Sequence, residues 1–280
     1  MKNEIPLEDG WSDVIRKARR GLGISEEELA RRSGLSPEAI IALEKGGLDL
    51  EQLGAVAGAL GLDKRSLLAL AKGEYHPGHL ELPDGLAMFS SPWDDFEVHS
   101  YLLWDPKVGE KSPAAAFDTG SDVSEMLDFL KAHFLHLGEI FLTHGHGDHV
   151  FDLDRLVEKS GAAAWIGERD AVSGAEAFAA GREFLLGSLR IETRSTWGHA
   201  RGGITYVIHG LDRPVAIVGD ALFAGSMGGP MISYEACLET NTREIFSLPP
   251  ETLLCPGHGP LTTVALEKAN NPFFASAGDA

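Results

Sequence analysis

Cysteine is scarce, basic charge is outnumbered and long apolar runs are missing. Only Cys237 and Cys255 are present; they form no CxxC pair and supply no disulfide framework, so a reducing compartment is the default. Both read as small buried hydrophobes. A net charge of −18 argues against a general binder of polyanions. No stretch approaches the ~20 apolar residues of a membrane-spanning helix, and the opening MKNEIPLEDGW is too acidic and polar for a signal peptide. Internal repeats and low-complexity tracts are absent too. The expectation is a cytoplasmic protein with no membrane partner, whose 280 residues suffice for two packed domains.

What is present changes texture once along the chain. Residues 11–72 read as five short helices: WSDVIRKARRG, SEEELARRSG, SPEAIIALEKGG, DLEQLGAVAGALG and DKRSLLALAKG. Ser25, Ser36 and Asp63 stand as N-caps and glycines close several of these segments. The Pro- and Gly-rich GEYHPGHLELPDG then reads as a linker. Beyond it, strand-like runs such as EVHSYLLWD, AAAFDTG, SLRIETRS and PVAIVGD are interspersed with helices such as SEMLDFLKAHF. The alanine-rich SGAEAFAAG reads as one more short helix. The expected organisation is a small all-α domain over residues 1–75 and a mixed α/β domain over residues 76–280.

The densest chemistry lies in THGHGDHV, Thr143 to Val150. It follows the apolar run GEIFLT, a buried strand by pattern, and precedes DLDRLVEKSG, whose Leu153, Leu156 and Val157 recur at helical spacing. The cluster therefore occupies a strand-to-helix turn, where open α/β layers gather ligands. Residues two apart in extended chain project to one side, so His144 and His146 converge on one point, while Asp148 and His149 can face a second. Three further candidates sit at strand ends: His199 in STWGHARGG, Asp220 in VAIVGDALF and His258 in LLCPGHGP. Each is weak alone; together, in this order, they point to a metal centre. His76, His79, His99, His133, His136 and His209 lack such context and read as structural.

On these residues, positions 80–275 resemble the metallo-β-lactamase-fold hydrolases. The resemblance implies an αββα sandwich with the metals at one edge, and hence an α+β chain: that sandwich preceded by a small all-α helix-turn-helix domain. It further implies that His144, His146 and His199 hold one divalent ion, that Asp148, His149 and His258 hold another, and that Asp220 bridges them. Asp148 and Asp220 would be the catalytic carboxylates, and Asp118 of FDTG an orienting residue behind the ligands. Imidazole and carboxylate donors suit zinc first, with iron and manganese as alternatives. Two such ions share and activate a hydroxide and polarise a small-molecule substrate without a side-chain nucleophile.

Departures narrow the substrate. Asp220 stands against an antibiotic-degrading enzyme and towards the glyoxalase II-like thioesterases, lactonases and persulfide dioxygenases. Gly229 lies where a basic residue often helps hold glutathione in those thioesterases; Arg201 is a substitute anion contact or, more simply, a surface arginine. A persulfide dioxygenase would use only His144, His199 and Asp220 for a single iron. The intact second set favours two metals and hydrolysis of an ester, thioester or lactone.

The first domain resembles the helix-turn-helix modules of phage-repressor-like regulators. ISEEELARRSGLSPEAIIALEKG carries the turn SGLS, and Leu29, Ala30, Leu35, Ile40 and Leu43 fall at packing positions. Base contacts would come from Ser36, Glu38 and Ala39 at the head of the third helix. That helix also presents Pro37, Ile41 and Ala42, which offer few donors to base edges. Residues 1–75 hold 11 Lys and Arg against 13 Asp and Glu, a net −2. The expectation is a homodimerisation or protein-contact role over DNA binding, which Arg16, Lys17, Arg19 and Arg20 keep open. The competing whole-protein reading is a transcriptional regulator whose α/β domain senses a metal or ligand.

Overall fold

The computed structural model describes residues 4–109 and 111–275; the first three residues of the polar opening stretch lie outside it. Five helices come first: α1 (Trp11–Gly21), α2 (Glu26–Ser33), α3 (Pro37–Glu44), α4 (Leu50–Leu60) and α5 (Lys64–Ala71). Their starts follow from local chemistry. Ser25, Ser36 and Asp63 accept backbone N–H groups of Glu28, Ala39 and Ser66, and Asp49 caps α4 in the same way, satisfying donors that a helix start leaves orphaned. The helices close on one apolar core that includes Ile15, Leu29, Ile40, Leu53 and Leu67.

Two six-stranded sheets follow. The first contains β1 (Leu86–Trp93), β2 (Phe96–Trp104), β3 (Pro113–Phe117), β4 (His136–Phe141), β5 (Ala163–Gly167) and β6 (Ala175–Phe178), in that spatial order. Between its strands run α6 (Ser124–Ala132), α7 (Gly147–Val150) and α8 (Leu153–Ser160). The second contains β7 (Glu183–Leu186), β8 (Leu189–Ser195), β9 (Ile204–His209), β10 (Val215–Gly219), β11 (Leu253–Pro256) and β12 (Thr262–Thr263), with α9 (Tyr234–Thr240) and α10 (Val264–Asn270). Asn241–Ile245 continues α9 as a π-helical turn.

Strand alternation explains the layering. Ala115 and Phe117 of β3 and Val215 and Ile217 of β10 point into the core between the sheets. Their neighbours Ala114 and Ala116 meet α6 and α8 residues on one outer face, while Ala216 and Val218 pack with α9 and α10 residues on the other. The result is the expected αββα sandwich behind a helical domain. No helix among the described residues is long and apolar enough to cross a membrane.

One sequence expectation fails. SGAEAFAAG is not a helix: Ala175–Phe178 is β6, paired in parallel with β5 from Ala164↔Ala175 to Gly167↔Phe178. Pairing at the open edge of the first sheet, with Phe178 buried between the sheets, outweighs alanine's helix preference, which is worth only tenths of a kcal/mol per residue, roughly.

The helical domain is packed onto the sandwich. Asp63 N–H donates to Pro272 O over 2.8 Å, Arg65 donates to Ala269 O over 2.8 Å, and Tyr75 donates to the buried carboxylate of Glu267. Tyr234 and Phe273 of the sandwich lie against the helical core.

Candidate metal centre

The seven predicted ligands converge at one end of the sandwich, each just past a strand. His144 follows β4, His146 stands just before α7, and Asp148 and His149 lie within it; His199 follows β8, Asp220 follows β10 and His258 follows β11. Three donor groups form, each with ligand atoms within 4.8 Å of one another: His144, His146 and His199; His144, His149 and Asp220; Asp148, His149 and His258. Close backbone approach makes this room. A Cβ at Gly257 would stand 2.4 Å from Asp220 Oδ1 and 2.5 Å from His149 Cε1, and one at Gly228 would stand 2.0 Å from Asp220 O.

Hydrogen bonds behind the ligands fix which nitrogens face inward. His199 Nδ1 donates to Gly229 O at 2.7 Å, His258 Nδ1 to Glu97 O at 2.7 Å and His149 Nδ1 to Asp118 Oδ2 at 2.8 Å. Thr143 spends its hydroxyl proton on Asp118 Oδ2 at 2.7 Å, so at 3.1 Å it accepts from His144 Nδ1. Each of these imidazoles therefore turns its Nε2 toward the centre, the arrangement that orients metal-binding histidines. Asp118 also accepts Thr143 N–H at 2.7 Å and holds φ at 56°. That left-handed conformation is uncommon outside glycine and clusters where geometry is over-determined by function.

The inward side is short of protons. His144 Nε2 and His199 Nε2 both lie 2.9 Å from His146 Nδ1, which can offer at most one proton between them. His149 Nε2 faces Asp220 Oδ1 at 3.2 Å, and His258 Nε2 faces Asp148 Oδ2 at 3.2 Å. His149 Nε2 and Asp220 Oδ1 are buried without a hydrogen-bond partner, an arrangement costly enough to require an explanation. Divalent cations between these atoms resolve both conflicts, so the residues fit a metal centre.

The electrostatics agree. Burial presses the His144 imidazole well below its usual range. Burial opposes charge on His149 as well, yet the Asp220 and Asp118 carboxylates hold its pKa well above the usual value. Against the same burial, Asp220 and Asp148 push His258 up to about 10. Asp220 is drawn well below the carboxylate range by His149 and His258, although burial works the other way. Positive charge is demanded where cations would sit.

A cleft of about 380 Å³ opens over the centre, lined among others by Phe96, Phe223, Gly228, Met231, Glu8 and Lys17. Glu8 and Lys17 come from the N-terminal part, and sequence reasoning missed them; no local pattern marks Lys17 as a neighbour of Met227, 210 positions away. The stretch between β10 and α9 shapes the cleft through Gly228, Gly229 and Met231. Arg201 is exposed and is not among the lining residues, which leaves it a surface arginine. His99, read as structural, is buried and bonded to Ser90 Oγ and Gly259 O, steadying the turn that carries His258. Both cysteines are buried, and burial pushes their thiols up.

The cations that kept DNA binding open are mostly engaged. Arg19 is buried and forks onto Glu44 with Glu26 beside it, Arg16 bonds Asp13 and Glu44 O, and Lys17 bonds Asp9 and Met227 O. At the head of α3, Ser36 caps Ala39 N–H at 3.3 Å, Glu38 is exposed and Ala39 half-buried.

This combination of an αββα sandwich with clustered His and Asp side chains past its strand ends defines a metal-dependent hydrolase class. Residues 93–258 match the family model of the Metallo-beta-lactamase superfamily, and the chain belongs to that superfamily. Residues 15–67 match a Helix-turn-helix family model. A "Probable metallo-hydrolase" of Streptococcus pyogenes is 30% identical over 56% of this chain and 79% of its own length. The hydroxyacylglutathione hydrolase GloC of Haemophilus influenzae is 27% identical over 66% of this chain and 96% of its own. Among solved structures, ETHE1 from Myxococcus xanthus superposes with a TM-score of 0.59 at 26% identity, over 68% of this chain and 84% of that one.

Proposed function

We propose that the chain is a dinuclear metal-dependent hydrolase of a small ester, thioester or lactone. The observation that carries this reading is the convergence of seven candidate ligand side chains in three overlapping sets, each with its donor atoms within 4.8 Å of one another, with His149 Nε2 and Asp220 Oδ1 left buried without a hydrogen-bond partner. His144, His146 and His199 would hold one ion, Asp148, His149 and His258 the other, and Asp220 both. Bound there, two divalent ions supply an acidified water and polarise the substrate carbonyl. Zinc is the expected ion, and the imidazole and carboxylate donors are equally compatible with iron or manganese.

The chain's own contribution is orientation. Asp118 and the carbonyls of Gly229 and Glu97 hold His149, His199 and His258 with their outer nitrogens protonated, which keeps the inner ones free to donate to metal. Phe96, with its ring 5.0 Å from that of His258, and Phe223, at 5.7 Å from the same ring, give the cleft apolar walls beside the polar floor. Such walls favour a small organic substrate over a free ion. Similarity to a hydroxyacylglutathione hydrolase supports the thioester end of the range.

A single iron on His144, His199 and Asp220 would leave the gathering of Asp148, His149 and His258 without a purpose, and so would a pure sensor role. For the helical domain, we infer packing against the sandwich in place of operator reading, with exposed Ile41 as the point offered to a second copy in a homodimer. The metal-loaded full chain, screened against thioesters, lactones, phosphodiesters and persulfides, is expected to turn over a thioester, ester or lactone. Oxygen uptake on a persulfide with no hydrolysis would overturn the reading.

A further inference from the structure

The cleft over the metal centre does not end at the sandwich. A second chamber of about 380 Å³ is lined by Asp13, Arg16, Lys17 and Arg20 on one side and by Gly229, Pro230 and Met231 on the other. Lys17, Gly229 and Met231 line both chambers, so the two adjoin. The four α1 residues sit at spacings of three, four and seven, which puts them on one face of the helix. Three are cationic and one is acidic, in a chain whose net charge is −18.

The positive groups differ in how far they are used. Lys17 is committed: its ammonium bonds Asp9 and, at 2.8 Å, Met227 O, which ties α1 to the loop that carries Gly229, the acceptor for His199. Arg16 gives one terminal nitrogen to Glu44 O at 3.2 Å and the other to Asp13, so part of its five-donor fork stays open. Arg20 is exposed and has no ion-pair or side-chain hydrogen-bond partner among the described residues. The facing wall has no side chain at Gly229, where even an added Cβ would meet nothing within 4 Å. An elongated ligand can thus run from the metal centre along α1 to Arg16 and Arg20.

We propose that this second chamber, built between α1 and the Gly229–Met231 loop, is an anion-binding subsite. It takes the carboxylate- or phosphate-bearing end of a substrate whose scissile carbonyl lies over the metal centre. The helical domain is then a working wall of the active site, with Arg20 as the principal anion contact and Arg16 beside it. The negative group sits either on the leaving-group side of the scissile bond or on the acyl side; the chemistry recognised is the same.

The inference rests on the hydrolase reading above and is tested on the full metal-loaded chain with paired thioesters. Acetyl-coenzyme A against acetyl-pantetheine places the charge on the thiol side, and glutaryl-pantetheine against valeryl-pantetheine places it on the acyl side. The readout is the ratio of kcat/KM for the charged member to that for the neutral one. In Arg16→Ala/Arg20→Ala, and in the single charge reversal Arg20→Glu, that ratio is expected to fall roughly 10- to 100-fold in one arm, carried by KM, the size of a lost charge-assisted bond. Arg20 is exposed, so the single variant keeps the test alive if the double one folds poorly.

Equilibrium binding of the matching uncleavable thioethers gives the same ratio where no ester is turned over, which separates a failed hydrolase reading from a failed anion site. Ratios unchanged in both arms, by turnover and by binding, would overturn the proposal.

Discussion

Asp220→Asn is expected to lower kcat by about 10²- to 10³-fold, the loss typical of removing one preorganised charge-stabilising group, while leaving the fold intact. Asp220 is the residue both proposed metal sets share. Its Oδ1 lies 3.2 Å from His149 Nε2 and 3.5 Å from His258 Nε2, and its Oδ2 lies 3.4 Å from His199 Nε2. Asparagine has the same outline but carries no charge, and its amide would aim N–H donors at one side of a cation-seeking centre. The backbone that places it is unaffected: Gly228 N–H still donates to residue 220 O, at 3.1 Å here. Steady-state kinetics at saturating metal, with circular dichroism as the control for folding, makes the comparison. A kcat near wild type in a folded variant would show that the bridging role is misassigned.

Glu267→Leu is expected to destabilise the whole chain by roughly 2–5 kcal/mol, from two or more buried donors left unsatisfied at about 1–3 kcal/mol each. Glu267 is fully buried and receives only donors. Tyr75 and Thr262 hydroxyls donate to Oε1, and Gly225 N–H and Asn271 Nδ2 donate to Oε2 at 2.9 and 2.8 Å. Leucine offers no acceptor, so the Tyr75 and Thr262 hydroxyls and Gly225 N–H lose the partner they share. The carboxylate also ties Tyr75, at the end of the helical domain, to the Gly225 turn that follows Asp220, so the loss should loosen the domain contact as well as the core. Urea unfolding checks the size; a change below about 0.5 kcal/mol, the range of ordinary surface substitutions, would show that these donors do not depend on Glu267.

The candidate ligands were legible in the sequence because ligand chemistry restricts residue type and a strand end restricts place. HGHGDH supplies four candidates in six positions, and the lone His199, Asp220 and His258 each follow a recognisable apolar strand. The helices were legible through their caps, which act within three residues of one another. What escaped the sequence is tertiary. Ala175–Phe178 has alanine's helical bias and becomes a strand only because β5 offers it a free edge. The short β7 exists by pairing with β8. Lys17 reads as one of four scattered cations, and only the packing of α1 beside α9 and the Met227 carbonyl sets it at the mouth of the metal cleft. Glu8 is similar: its backbone N lies 3.0 Å from where a Cβ of Gly259 would stand, a contact across most of the chain's length.

Metal content tests the central claim most directly. Elemental analysis of the full chain after mild dialysis is expected to find about two transition-metal ions per chain, zinc foremost, as two complete donor sets require. A folded chain that retains no tightly held transition metal would contradict the account, and one that binds a single iron and no second ion would hand the site to mononuclear chemistry.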